Sequence, residues 1–120
     1  MKKIVIVDDD SRMLKLIKNY LADVYELVPM KSGAATLAYL EDNHPDAILL
    51  DYMMPALDGP HTLEAIRKMD SAKDIPVIFL TSVTQKNKVE ACMAYEPDGY
   101  LVKPVAREEL LLALSDLFNK

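Results

Sequence analysis

Short unbroken apolar runs alternate along this chain with stretches whose apolar residues recur every three or four positions. Ile4 to Val7 is a β-branched run bounded by charge, which predicts a strand buried on both faces, as in a parallel sheet. Ala47 to Asp51, Pro76 to Leu80 and the shorter Gly99 to Val102 repeat that signal. Tyr25 to Met30 is weaker, and Pro29, which cannot donate to a ladder, directs it to a sheet edge.

The stretches between carry the helical period. Met13, Leu14, Leu16, Ile17, Tyr20 and Leu21 follow Ser11, a residue able to cap them. Ala34, Leu37, Ala38 and Leu40 follow Gly33 and stop before Pro45, and Leu63, Ala65, Ile66 and Met69 follow Pro60, placed as a first-turn proline. A fourth helix, about Gln85 to Tyr95, is the least apolar, and a fifth follows Pro104 with Leu110, Leu111, Leu114, Leu117 and Phe118.

Five strands alternating with five helices predict one doubly wound α/β domain over residues 1–120, with right-handed crossovers. The expected strand order is 2-1-3-4-5, flavodoxin-like, with ligands bound outside the carboxyl ends of the strands where strands 1 and 3 meet. Composition agrees: 120 residues with 51% apolar content can fill one core.

A net charge of −5 gives no basic footprint, so no direct nucleic acid binding by this chain is expected. Cys92 is the lone cysteine, which excludes a disulfide framework, and His44 and His61 are too far apart in sequence to read as a metal pair. The apolar run after Met1-Lys2-Lys3 is too short for a signal peptide, and no run approaches the ~18 apolar residues of a membrane span. No membrane association and a cytoplasmic location are the expectations.

The strand ends carry the chemistry. Asp8 and Asp9 follow strand 1, Asp51 ends strand 3, Thr81 follows strand 4 and Lys103 follows strand 5, all at the ligand-binding edge. Singly, each is ordinary: acids favour helix starts, a Thr can end a strand and a Lys is usually solvated. Together, three carboxylates repel by roughly 4 kcal/mol per pair at ~4 Å with an effective dielectric near 20. The cluster needs a cation, and oxygen-only ligands suit a hard ion, with Mg²⁺ favoured over calcium. An aspartate beside such an ion can attack a phosphoryl group, and a lysine can neutralise the phosphoryl oxygens.

Four motifs in order, Val7-Asp8-Asp9, Asp51-Tyr52-Met53-Met54-Pro55-Ala56-Leu57-Asp58-Gly59, Leu80-Thr81-Ser82 and Tyr100-Leu101-Val102-Lys103-Pro104, make the chain resemble the receiver (REC) domain of two-component response regulators, the CheY-like family. The resemblance implies that Asp51 is the phosphoacceptor, charged by a histidine kinase or histidine phosphotransfer protein. It implies that Asp9, Asp51 and the backbone carbonyl of Met53 bind Mg²⁺, with Asp8 acting mainly through water. Lys103 would contact the phosphoryl group, Thr81 would turn toward it, and Tyr100 would follow from an exposed to a buried rotamer. Lys103-Pro104 would be a cis peptide, and the surface of helix 4, strand 5 and helix 5 would control a downstream protein or effector domain. Self-phosphorylation and self-dephosphorylation would be its only catalysis.

The chain departs from the family pattern in places. Glu96-Pro97 precedes Asp98-Gly99-Tyr100 where Gly-Ala is usual, which predicts a stiffer turn. Arg107 is the one basic residue of helix 5 before Lys120, so dimerisation is not expected from charge, and Asp10 is expected to face solvent. Met53 and Val83 are apolar at the positions that flank the attacking water in this family, which predicts slow loss of phosphate. Two other classes fit less well. A small Mg²⁺-dependent phosphotransferase would want a general acid where Met53 stands, and a phosphorylation-independent interaction module would leave Asp51, Thr81 and Lys103 without a purpose. A free-standing receiver and the receiver part of a longer regulator fit the sequence equally.

Overall fold

The structure, a computed structural model, describes residues 1–119. Its elements run β1 (Lys3–Val7), α1 (Ser11–Leu21), β2 (Glu26–Met30), α2 (Gly33–Asp42), β3 (Ala47–Leu50), α3 (Gly59–Lys68), β4 (Val77–Thr81), α4 (Lys86–Met93), β5 (Gly99–Val102) and α5 (Arg107–Phe118). All strands pair in parallel in the order β2-β1-β3-β4-β5, as the alternation predicts.

The strand period of two divides the core into two layers. Ile4, Ile6, Ala47, Leu49, Ile78 and Leu80 face α1 and α5, meeting Leu14, Ile17, Leu21, Leu110 and Leu114. Val5, Val7, Ile48, Leu50, Val77 and Phe79 face the opposite layer, with Leu40 of α2, Leu63 and Ile66 of α3 and Cys92 of α4. Each Val, Leu, Ile and Phe side chain among them contributes about 1.5–3 kcal/mol through burial, so β1, β3 and β4 are pinned from both sides.

Several boundaries differ from expectation for local reasons. Asp10, not Ser11, caps α1: its backbone is still extended and its carboxylate accepts the Arg12 N–H. Asp10 therefore caps the helix and pairs with Arg12 while its side chain still faces solvent, as expected. Asp58 caps α3, which starts one residue early at Gly59, so Pro60 is its second residue. α4 is shorter than expected and its Gln85 makes no side-chain cap. Pro29 lies on β2 at the sheet edge, and Lys103-Pro104 is cis. The turn before β5 holds Glu96 at a φ of 56°. Beyond it, the Asp98 carboxylate accepts the Val77 N–H at 2.8 Å and an Arg67 N–H at 3.3 Å, tying the turn to β4 and α3.

Candidate functional site

The carboxyl ends of β1, β3, β4 and β5 bring Asp8, Asp9, Asp51, Thr81 and Lys103 to one edge, as the sequence predicts. Asp8 and Asp51 are buried and Asp9 is exposed, and one carboxylate oxygen from each lies within 4.8 Å of the others. The strands fix these positions: the Asp51 N–H donates to the Val7 carbonyl at 3.0 Å and the Asp8 N–H to the Met30 carbonyl at 3.0 Å. The Asp10 N–H in turn donates to Asp8 Oδ1 at 2.9 Å, which orients that carboxylate.

Lys103 is the cation of the cluster. Its Nζ donates to Asp8 Oδ2 at 2.7 Å and stands 3.7 Å from Asp51 Oδ2. Asp8 thus holds the ammonium directly. Asp51 keeps the looser contact. Burial pushes its carboxyl above the usual carboxylate range and the Asp8 charge adds to that, while Lys103 and the Thr81 hydroxyl oppose it. A carboxylate so placed is buried and only loosely neutralised.

Thr81 is fully buried, and its Oγ1 accepts the Val83 N–H at 3.3 Å. The Val83 carbonyl accepts the Tyr100 hydroxyl at 2.7 Å. Tyr100 is half-buried with its ring 5.8 Å from that of Phe79, and burial pushes its phenol up to about 12. Its ring is thus already packed inward rather than exposed. A run of hydrogen bonds therefore leads from Thr81 through Val83 to Tyr100.

Gly59 has a role that its turn chemistry alone does not reveal. A Cβ there would collide with the Asp51 carbonyl and come within 2.7 Å of the Tyr52 Cα, so the start of α3 packs on the backbone of Asp51. Met53 presents an exposed side chain beside the site. His44 and His61 are exposed, and the His61 ring pairs with Asp58 at 2.7 Å. Cys92 is buried, its thiol pushed up to about 12 by that burial, which makes it unreactive.

The donor set fits a hard divalent cation: three carboxylates gathered at one edge, with oxygen as the only ligand atom. Among the described residues, no helix is long and apolar enough to cross a membrane.

Comparison with known proteins agrees with this geometry. A family model described as the response regulator receiver domain matches residues 4–115. The transcriptional regulatory protein PrrA of Mycobacterium tuberculosis is 34% identical over 119 residues, which cover 98% of this chain and 50% of that protein. The chain spans about half the length of the curated relatives it matches. Among solved structures, the chemotaxis protein CheY4 of Vibrio cholerae superposes with a TM-score of 0.90 at 31% identity, covering 97% of this chain and 98% of that one. The receiver domain of the sensor histidine kinase PA1611 of Pseudomonas aeruginosa, described with a magnesium ion in its active site cleft, gives a TM-score of 0.92 at 28% identity over 99% of this chain and 98% of that one. With sheet order, site and family match in agreement, the chain belongs to the response regulator receiver domains, signalling modules of two-component systems rather than conventional enzymes.

Proposed function

We propose that residues 1–120 form one receiver domain that accepts a phosphoryl group on Asp51 from a histidine kinase or histidine phosphotransfer protein in the cytoplasm. The observation that carries this reading is the environment of Asp51: a buried carboxylate beside two other acids, with one lysine 3.7 Å away shared with Asp8. An Asp51 oxygen attacks the phosphorus, the P–N bond of the donor phosphohistidine breaks, and its electron pair leaves with the imidazole nitrogen. Lys103 supplies positive charge to the phosphoryl oxygens, and Thr81 offers its hydroxyl to one of them. That requires Lys103 to loosen from Asp8 and Thr81 to give up the Val83 N–H.

Asp9, Asp51 and the Met53 carbonyl would hold Mg²⁺, with Asp8 contributing through water. When bound, the ion would relieve repulsion among the acids and neutralise charge on the phosphoryl oxygens. Movement of Thr81 would shift Val83 and with it the carbonyl that anchors Tyr100, changing the surface of α4, β5 and α5 that a downstream protein or effector domain reads. Met53 and Val83 place apolar groups around the phosphorylated carboxylate, which slows attack by water. Replacing them with Asn and Glu should speed loss of phosphate, and an unchanged rate would remove that part of the reading.

The test of the whole is intact mass after incubation with Mg²⁺ and acetyl phosphate or phosphoramidate, for wild type and Asp51→Ala. One added phosphoryl group that needs the metal and is absent from the variant supports the assignment. No addition at saturating donor rejects it.

A further inference from the structure

Most side-chain cations of the described residues are neutralised within the chain. Those on α3, α5 and β1 pair with carboxylates, as Arg67 does with Asp98 and Arg107 with Asp23, and Lys2 lies 4.9 Å from the centre of the Phe118 ring. Lys88 on α4 has no carboxylate partner but stands alone. Lys15, Lys18 and Lys31 also have none, and these three surround one groove.

The groove, about 340 Å³, runs between α1 and the edge strand β2. Leu14 and Pro29 form its apolar floor, and Ser11, Lys15, Lys18 and Lys31 its rim. All four rim residues are exposed. Three like charges gathered over apolar surface cost free energy in the isolated chain, which a partner carrying carboxylates and apolar side chains would remove.

We propose that this groove docks an acidic amphipathic helix of a partner protein, its apolar side chains on Leu14 and Pro29 and its carboxylates on the three lysines. A helix fits better than an added strand because of the ladder's phase. The Glu26 N–H donates to the carbonyl of Lys2, just before β1, and the Met30 carbonyl accepts from Asp8, just after it, so Leu27 and Pro29 turn their backbone groups to the free edge. Pro29 has no N–H to offer there, and an added strand would lose a bond in mid-ladder. A protein fits better than nucleic acid because the chain carries −5 overall and the floor is apolar. The groove ends beside the acidic cluster: Lys31 follows the Met30 whose carbonyl holds the Asp8 N–H, and Ser11 follows the Asp10 whose N–H holds Asp8 Oδ1. Nothing in this assignment depends on phosphorylation of Asp51.

The test is titration of the ¹⁵N-labelled chain with an acetylated, amidated helical peptide bearing Leu along one face and Glu elsewhere. Its counterparts carry Lys for Glu or Ala for Leu, and a single-stranded oligodeoxynucleotide serves as the polyanion control. Saturable amide shifts centred on Ser11 to Lys18 and on Met30 and Lys31 are expected with the Glu/Leu peptide. Combined K15E, K18E and K31E should weaken binding by roughly tenfold or more, while the three Lys→Arg changes retain it. The spectrum of each variant reports its fold, and K18E alone, an exposed single change, should weaken binding in the same direction. Absence of saturable shifts, shifts centred elsewhere, equal binding of the Ala-for-Leu peptide, tighter binding of the oligonucleotide in the groove, or indifference to charge reversal would each overturn the proposal.

Discussion

β1, β3 and β4 are buried on both faces nearly throughout, whereas β5 is half-buried along most of its length and α4 buries only Cys92. The acids and Thr81 stand at the ends of the first group. Tyr100 and the loop it grips belong to the second. A site that must hold three carboxylates near one another needs a frame that does not yield, and the doubly packed strands provide one. A surface that changes with the state of the site needs the opposite: few buried contacts, an uncapped helix and a small number of breakable hydrogen bonds. The two regions meet at Thr81 and Val83, where one 3.3 Å bond and one 2.7 Å bond join frame to surface.

Truncation should expose the contrast most strongly. Ile48→Ala, in fully buried β3, is expected to lower unfolding free energy by about 2–5 kcal/mol in urea. Met93→Ala on α4, half-exposed, should stay within about 0.5 kcal/mol. Similar losses at both positions would erase the distinction.

The second effect concerns charge within the rigid frame. Asp51 has its pKa raised by burial, so its contribution to stability is fully present below its unfolded value of about 3.9 and is lost as pH rises through the raised folded value. In metal-free buffer at neutral pH, Asp51→Asn should therefore be more stable than wild type, on the order of 1 kcal/mol or a few degrees in Tm. The gain should vanish toward pH 3. Thermal melts across pH check both, and an Asn variant less stable at neutral pH would mean that Lys103 holds Asp51 more strongly than its 3.7 Å contact suggests.

Tyr100→Phe should give the smallest effect that still matters. It removes one hydrogen bond to the Val83 carbonyl and keeps the ring on Phe79, for a loss of about 0.5–1.5 kcal/mol by urea denaturation. Faster amide exchange should be confined to the β4–α4 loop and α4. Faster exchange spread over β1 and β3 would show that the surface is not separable from the frame.

Much of this was legible in the chain. Unbroken apolar runs identify β1, β3 and β4 because both faces of a central strand are buried, and Pro29 marks β2 as an edge because its lost donor matters only inside a sheet. The bounds of β5 agree with the structure because turn residues flank it. Asp10 in place of Ser11 as the cap was not legible, since either side chain can cap and the choice depends on where the chain leaves its extended form. The grip of Lys103 on Asp8 joins residues 95 apart and depends on how the ends of β1 and β5 converge across the sheet. Gly59 reads as a turn residue, and only the packing of α3 on Asp51 shows why a side chain is excluded there.

The central claim is that a change of charge at the rigid site is read at the loosely packed surface. Hydrogen exchange measured by mass spectrometry on the chain with and without phosphoryl transfer to Asp51 tests it most directly. The account predicts altered exchange in the β4–α4 loop, α4 and β5, with β1 and β3 unchanged. Full phosphorylation with no change in those segments would contradict it.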